Sequence, residues 1–166
     1  AVNFGIVYGI GAFSLAKDIG VSNKEAKHYI ESYLAHYSGV DSYMKNVVEK
    51  ANADGYVETM FGRRRNLPEL TSSKHMIRAF GERVARNMPI QGTAADIIKI
   101  AMIKVDERMK AENLRARLVL QVHDELIVEA PQDESMRVAL IVQEEMENAV
   151  KMSVPLTADA AIGRTW

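Results

Sequence analysis

Apolar residues recur along this chain with two different periods, and each change of period marks a predicted element. Ser22 and Glu25 stand three apart at the start of a helical pattern. A Ser hydroxyl there can accept from the Glu25 amide while the Glu25 carboxylate reaches back, which is a capping box. A helix is predicted from it to about Tyr37, with Ala26, Tyr29, Ile30, Tyr33 and Leu34 on one stripe and Gly39 as its stop. A second helix runs from about Val40 to Ala53 and halts at Asp54-Gly55. The period then shortens: Tyr56 to Phe61 reads as a strand, turned by Gly62 into the run Arg63-Arg64-Arg65. Residues 73–112 are helical again, with Ile77, Phe80, Val84 and Met88 on one stripe and Ile98, Ala101, Val105 and Met109 on another. Pro89 lies between them and predicts a break or kink, because proline removes an amide and crowds the preceding turn. Two alternating stretches, 116–122 and 125–130, are joined by only His123 and Asp124, with Leu118, Leu120 and Val122 expected on one face. A helix started by Pro131 and Asp133 and running to about Val150, and a last strand after Pro155 ending near Gly163, complete the pattern. This order, with short helical pieces before Gly20, predicts an α+β fold with an antiparallel sheet.

Composition narrows the class. Hydrophobic residues make up 48% and charged residues 26% of 166, a globular balance and not a disordered one. There is no cysteine, so disulfides, thiolate zinc sites and a cysteine nucleophile are excluded. No apolar run reaches the roughly 18 residues of a membrane helix, and the lack of cysteine fits a reducing cytoplasm. The chain opens at Ala1 inside a predicted helical stretch, which reads as a shortened polypeptide.

The net charge of −1 conceals an asymmetry. Between Tyr56 and Ile90, seven bases (Arg63, Arg64, Arg65, Lys74, Arg78, Arg83 and Arg86) outnumber Glu58, Glu69 and Glu82; from Glu125 onward acids predominate. A basic middle suits phosphates and an acidic end suits metal or solvent, although two solvated faces would give the same distribution.

Candidate chemistry concentrates at the tip His123-Asp124. A two-residue hairpin loop ordinarily favours Asn-Gly or Asp-Gly. Here His and Asp occupy it and Glu125 follows. Such departures from local preference gather at functional sites. Carboxylates on a rigid hairpin are oxygen ligands of the kind Mg²⁺ requires. A surface pair that merely caps its own turn is the plain alternative.

Two further stretches carry possible contacts. Phe4 and Tyr8 are four apart, as are Gly5 and Gly9, so a helix would place the rings on one face beside a smooth backbone. Two helical glycines cost roughly 1 kcal/mol each relative to alanine. Close approach of a ligand is one reason to keep them and core packing is another. Flat aromatics also suit a base or sugar. Arg83, Asn87 and Gln91 recur every four residues. Their donors suit the minor-groove acceptors shared by all base pairs, and an ordinary solvated face remains the alternative.

Three segments, taken in order, resemble family A DNA polymerases: Asn3-Phe4-Gly5-Ile6-Val7-Tyr8-Gly9, Asn87-Met88-Pro89-Ile90-Gln91-Gly92-Thr93-Ala94-Ala95-Asp96, and Gln121-Val122-His123-Asp124-Glu125. The resemblance extends over essentially the whole chain, and three ordered motifs are far more specific than one. It implies a fingers portion at 1–82 and a palm portion at 83–166. It also implies transfer of a dNTP onto a primer 3′ end with two Mg²⁺ ions, in bacterial replication or repair. By the same resemblance Asp124 is a catalytic metal ligand, Glu125 its neighbouring acid, and His123 a residue near the primer terminus. Arg83, Asn87 and Gln91 become primer–template contacts. Phe4 lies against the nucleotide sugar, with weak acceptance of dideoxynucleotides, and Tyr8 lies near the templating base. The arginine run resembles the family's fingers hairpin and gains only general phosphate attraction.

The family's first motif, which carries a second metal-binding Asp, is missing from these residues, as is a Lys that would fall just before Ala1. The 166 residues alone are therefore expected to be inactive, with an open palm sheet edge that invites self-association. Two other readings compete. A non-catalytic nucleic-acid-binding module accounts for the bases and aromatics but not for the acids at the tip. A His-Asp phosphohydrolase needs partner histidines, and His28 and His36 are eight apart with no accompanying acid motif.

Overall fold

The computed structural model describes residues 2–165, apart from the side chains of Val2, Phe4 and Val7. The chain forms two compact units, 1–93 and 94–166, and is an α+β fold with two separate two-stranded antiparallel sheets. Among the described residues no helix is long and apolar enough to cross a membrane.

In the first unit, α1 (Val2–Val7), α2 (Ala12–Ile19), α3 (Asn23–His36) and α4 (Ser38–Asp54) precede a short hairpin. The expected capping box starts α3: the Glu25 amide donates to Ser22 Oγ at 3.2 Å, and the Ser22 amide donates to Glu25 Oε2 at 3.0 Å. The hydroxyl of Ser22 holds the Glu25 carboxyl below its ordinary range. Gly55, with φ 77°, closes α4 in the left-handed conformation that glycine tolerates. Strands β1 (Tyr56–Glu58) and β2 (Arg64–Asn66) follow. β1 stops at Glu58, earlier than expected, because Thr59 begins a tight turn. Its amide donates to the Arg63 carbonyl at 2.9 Å, and the Gly62 amide donates back to Thr59 at 3.0 Å.

Val57 from β1, Ala51 from α4, Leu67 and Leu70 from the 3-10 turn region, and Ala85 form one core. Leu15, Ala16 and Ala26 form another, with Ile30 packed against it. The predicted stripe at Ile77 and Phe80 remains 40% and 46% exposed, and only Val84 and Met88 reach the core.

Helix α5 (His75–Ala111) continues through Pro89 without the expected break. A proline in a helix interior costs about 3 kcal/mol, and tertiary anchoring around it offsets the penalty. Thr93 Oγ1 donates to the Pro89 carbonyl at 2.5 Å and accepts from the Met60 amide at 3.1 Å. The hairpin turn is thereby tied to the helix one turn beyond the proline. Gly92 permits this approach: a Cβ there would lie 2.7 Å from Thr59 Cγ2. Thr59 cannot simply rotate away, since its Oγ1 accepts from the amides of Phe61 and Arg63, both at 3.2 Å. Gly92→Ala is therefore expected to destabilise the first unit. Overpacking costs about 1–3 kcal/mol and alanine returns roughly 1 kcal/mol of helix propensity. A thermal melt showing Gly92→Ala more stable than the parent would contradict this.

In the second unit, the rest of α5 packs with β3 (Arg117–Val122), β4 (Glu125–Glu129) and α6 (Ser135–Glu147). Val105, Met109, Val138 and Ile141 form its buried centre, covered by Leu118, Leu126 and Val128 from the strands. The stripe Ile98, Ala101, Val105 and Met109 is buried as the helical period predicts. Salt links brace α5 against α6. Arg108 reaches Glu144 and Glu145, each at 2.7 Å, and Arg137 reaches Glu112 at 2.5 Å. The Arg137 hydrogen bond holds the Glu112 carboxyl below its ordinary range. That stabilisation is present above the unfolded carboxyl pKa of about 4.3 and is lost as pH falls through the lower folded value.

The expected last strand is absent: residues 151–165 contain no strand or helix. A strand needs a ladder partner, and among the described residues β3 and β4 pair only with each other. The Ala158 amide is held instead by Glu147 Oε1 at 3.1 Å.

Candidate metal-binding hairpin and nucleic-acid interface

The β3–β4 hairpin closes on Val122 opposite Glu125, leaving His123 and Asp124 as its two-residue tip. His123 adopts φ 51°. This left-handed conformation is uncommon for a side-chain-bearing residue, though His, Asn and Asp visit it more than most. Gln121 Nε2 donates to the His123 carbonyl and fixes the turn from inside the strand. The result is three consecutive exposed polar side chains, His123, Asp124 and Glu125, at the hairpin's end. At its foot, Arg117 pairs with Glu129 at 2.7 Å across the ladder, and Arg115 pairs with Glu134 at 2.8 Å.

The strand faces differ from expectation. A bulge lies between Leu118 and Leu120, so Leu118 pairs with Val128 while Leu120 pairs with Ile127. The extra residue flips the alternation. Leu118 stays on the core with Leu126 and Val128, whereas Val119 and Leu120 are 57% and 48% exposed. Leu118, Leu120 and Val122 therefore do not share one buried face.

Asp124 and Glu125 offer adjacent, solvent-facing oxygen donors, the type that Mg²⁺ accepts. They fit part of a coordination sphere. Among the described residues, no group of three or more His, Cys, Asp or Glu side chains converges as a metal cage.

In the first unit, Arg83, Asn87 and Gln91 project from successive turns of α5, with Arg83 and Gln91 exposed. The Arg83 guanidinium stands 5.9 Å from the Phe80 ring centre. Asn87 and Gln91 line a shallow niche of about 320 Å³ whose other walls are Arg65, Val84, Met88 and Gly92. Asn87 Oδ1 is buried there with no hydrogen-bond partner. A buried acceptor left unpaired costs about 1–3 kcal/mol, so a donor or a water in this niche would be retained.

The amino-terminal segment is less regular than its spacing suggests. α1 ends at Val7, and Gly9 takes φ 77°, with the Ile10 amide donating to the Gly5 carbonyl at 2.8 Å. Tyr8 therefore stands in the turn and does not share a helix face with Phe4, whose side chain lies outside the described residues. The two glycines have local reasons. A Cβ on Gly5 would meet Ile10 Cγ2 at 3.1 Å, and Gly9 supplies the positive φ that ends the helix.

Sequence reasoning did not single out Arg65, Thr59 or Thr93. The signal for Arg65 was the strand period, which places alternate members of the arginine run on opposite faces. Thr59 and Thr93 are far apart in sequence and only the fold brings them together.

Comparison with known proteins is consistent along the full length. The model of DNA polymerase family A matches residues 1–166. DNA polymerase I of Bacillus caldotenax is 54% identical over 166 residues, which cover 100% of this chain and 19% of that protein. DNA polymerase I of Bacillus subtilis is 51% identical over the same span and also 19% covered. A solved structure of the POL domain of Pol1 from M. smegmatis, in complex with DNA primer-template and dNTP, superposes with a TM-score of 0.88 at 47% identity. That match covers 93% of this chain and 27% of that one. The chain thus spans about a fifth of the length of the curated relatives it matches. It belongs to DNA polymerase family A.

Proposed function

We propose that these residues form the fingers portion (1–82) and palm portion (83–166) of a DNA-directed DNA polymerase that adds dNTPs to a primer 3′ end. The observation that carries this reading is the hairpin tip, where His123 at φ 51° leads into two adjacent exposed carboxylates, Asp124 and Glu125. Asp124 is the metal ligand. Glu125 keeps the local potential negative, and His123 sits beside the primer terminus. Two bound Mg²⁺ ions would supply activation of the attacking 3′ oxygen and stabilisation of the leaving pyrophosphate. Arg83, Asn87 and Gln91 donate to the N3 and O2 acceptors that every base pair presents in the minor groove. They sense duplex geometry without reading sequence. Phe4 and Tyr8 flank the incoming nucleotide and the templating base. The partners are primer–template DNA and dNTP, the setting is the bacterial cytoplasm, and no membrane is involved.

Asp124 supplies only part of the six-ligand sphere of a Mg²⁺ ion. The 166-residue polypeptide by itself is expected to be unable to extend a primer, whereas the complete polypeptide bearing this sequence extends one. Extension by the 166 residues alone, or none by the complete polypeptide, would count against this reading. The outer edges of β3 and β4 carry no further strand among the described residues, and self-association of the 166 residues through them is expected. Light scattering at high concentration should read above the monomer mass. A strictly monomeric mass would remove that part of the proposal.

A further inference from the structure

The run Arg63-Arg64-Arg65 is sorted by the pleat of its own hairpin. Glu58 is opposite Arg64, and Val57 is opposite Arg65. Directly opposed residues share a face of the ladder, and neighbours along a strand take opposite faces. Arg64 is therefore on the face of Glu58 and Tyr56. Both engage it: its Nε stands 3.2 Å from Glu58 Oε2, and its guanidinium lies 4.4 Å from the Tyr56 ring centre. Arg65 shares the face of Val57, which is buried against α4 and α5 in the core. Its side chain lines the niche with Val84, Asn87, Met88, Gln91 and Gly92. No acidic residue lines that niche, and Arg65 is exposed. A guanidinium with five donors and no acid beside it, next to two side-chain amides, is a binding arrangement for an anion.

We infer that Arg65 is a further DNA-positioning residue, contacting a backbone phosphate on the rim of the minor groove whose base edges Asn87 and Gln91 touch. The inference rests on the minor-groove role proposed above for the α5 row. Two amides and a guanidinium in one niche divide the work as duplex contacts commonly do: amides for base edges, the charge for phosphate. Arg64 takes no part, because Glu58 and Tyr56 occupy it. The lock between Met60 and Thr93 fixes the hairpin on the helix and so sets where Arg65 stands relative to Asn87 and Gln91.

The test is binding of the complete polypeptide to a fluorescent primer–template duplex over a series of salt concentrations. Each phosphate contact contributes about −0.9 to the slope of log affinity against log salt. Arg65→Ala is expected to make that slope shallower by about one contact's worth. Arg65→Lys should retain the parent slope, because the charge persists. Arg64→Ala should also leave the slope unchanged, and Asn87→Ala should weaken binding without altering it. Arg65→Ala with the parent slope, or Arg64→Ala with the same slope change as Arg65→Ala, overturns the inference. If Asn87→Ala and Gln91→Ala bind the duplex like the parent, the proposed minor-groove row fails and this inference with it. If those two weaken binding while Arg65→Ala keeps the parent slope, the inference alone fails.

Discussion

Asp124→Asn in the complete polypeptide is expected to reduce single-turnover nucleotide incorporation by at least about 10²–10³-fold. That is the range for removing one group aimed at developing transition-state charge. The substitution keeps the size of the side chain and replaces one anionic oxygen with an amide. Asp124 is solvent-facing at the hairpin tip, and no core contact depends on it. Folding and duplex affinity should therefore remain close to the parent while the chemical step collapses. Equal losses in affinity and rate would instead point to a binding role. Glu125→Gln should fall in the same direction by a smaller factor, roughly 10–100-fold, as expected of a group acting beside a metal ligand.

The second large effect concerns the scaffold beneath that tip. Ile141 is 0% exposed and belongs to the centre that unites α6, the C-terminal half of α5 and the inner face of β3–β4. Ile141→Ala removes three carbons from a close-packed site and should cost about 2–5 kcal/mol. A domain is typically stable by only 5–15 kcal/mol, so a lower melting temperature, by on the order of 10 °C, is expected. Met136→Ala, on the same helix but 75% exposed, should melt with the parent. Equal melting temperatures for Ile141→Ala and Met136→Ala would show that the hairpin does not depend on this core.

Much of the architecture follows from local rules, and the exceptions share one cause. The Ser22–Glu25 cap and the two-residue loop at His123-Asp124 were legible because each is set within a few residues. The bulge at Val119 was not, because a period of two carries no mark where one extra residue enters. Pro89 predicted a break from its own chemistry, yet Thr93 and Met60, distant in sequence, hold the helix through it. The segment after Pro155 reads as a strand, but strand formation depends on a partner that the segment's own residues do not supply. Gly9 looked like part of a glycine face and acts instead as a helix stop. At the site, His123, Asp124 and Glu125 were legible as an anomaly of turn chemistry. Arg65 required knowing which of two strand faces meets α5.

The central claim is that Asp124 holds metal at the hairpin tip. The most direct measurement is Mn²⁺ binding to the complete polypeptide with primer–template and dNTP present, followed by electron paramagnetic resonance for the parent and for Asp124→Asn. Mn²⁺ binding is expected to be weakened by at least about 10-fold in Asp124→Asn, with duplex binding retained. Identical Mn²⁺ affinity and stoichiometry in the two proteins would contradict it.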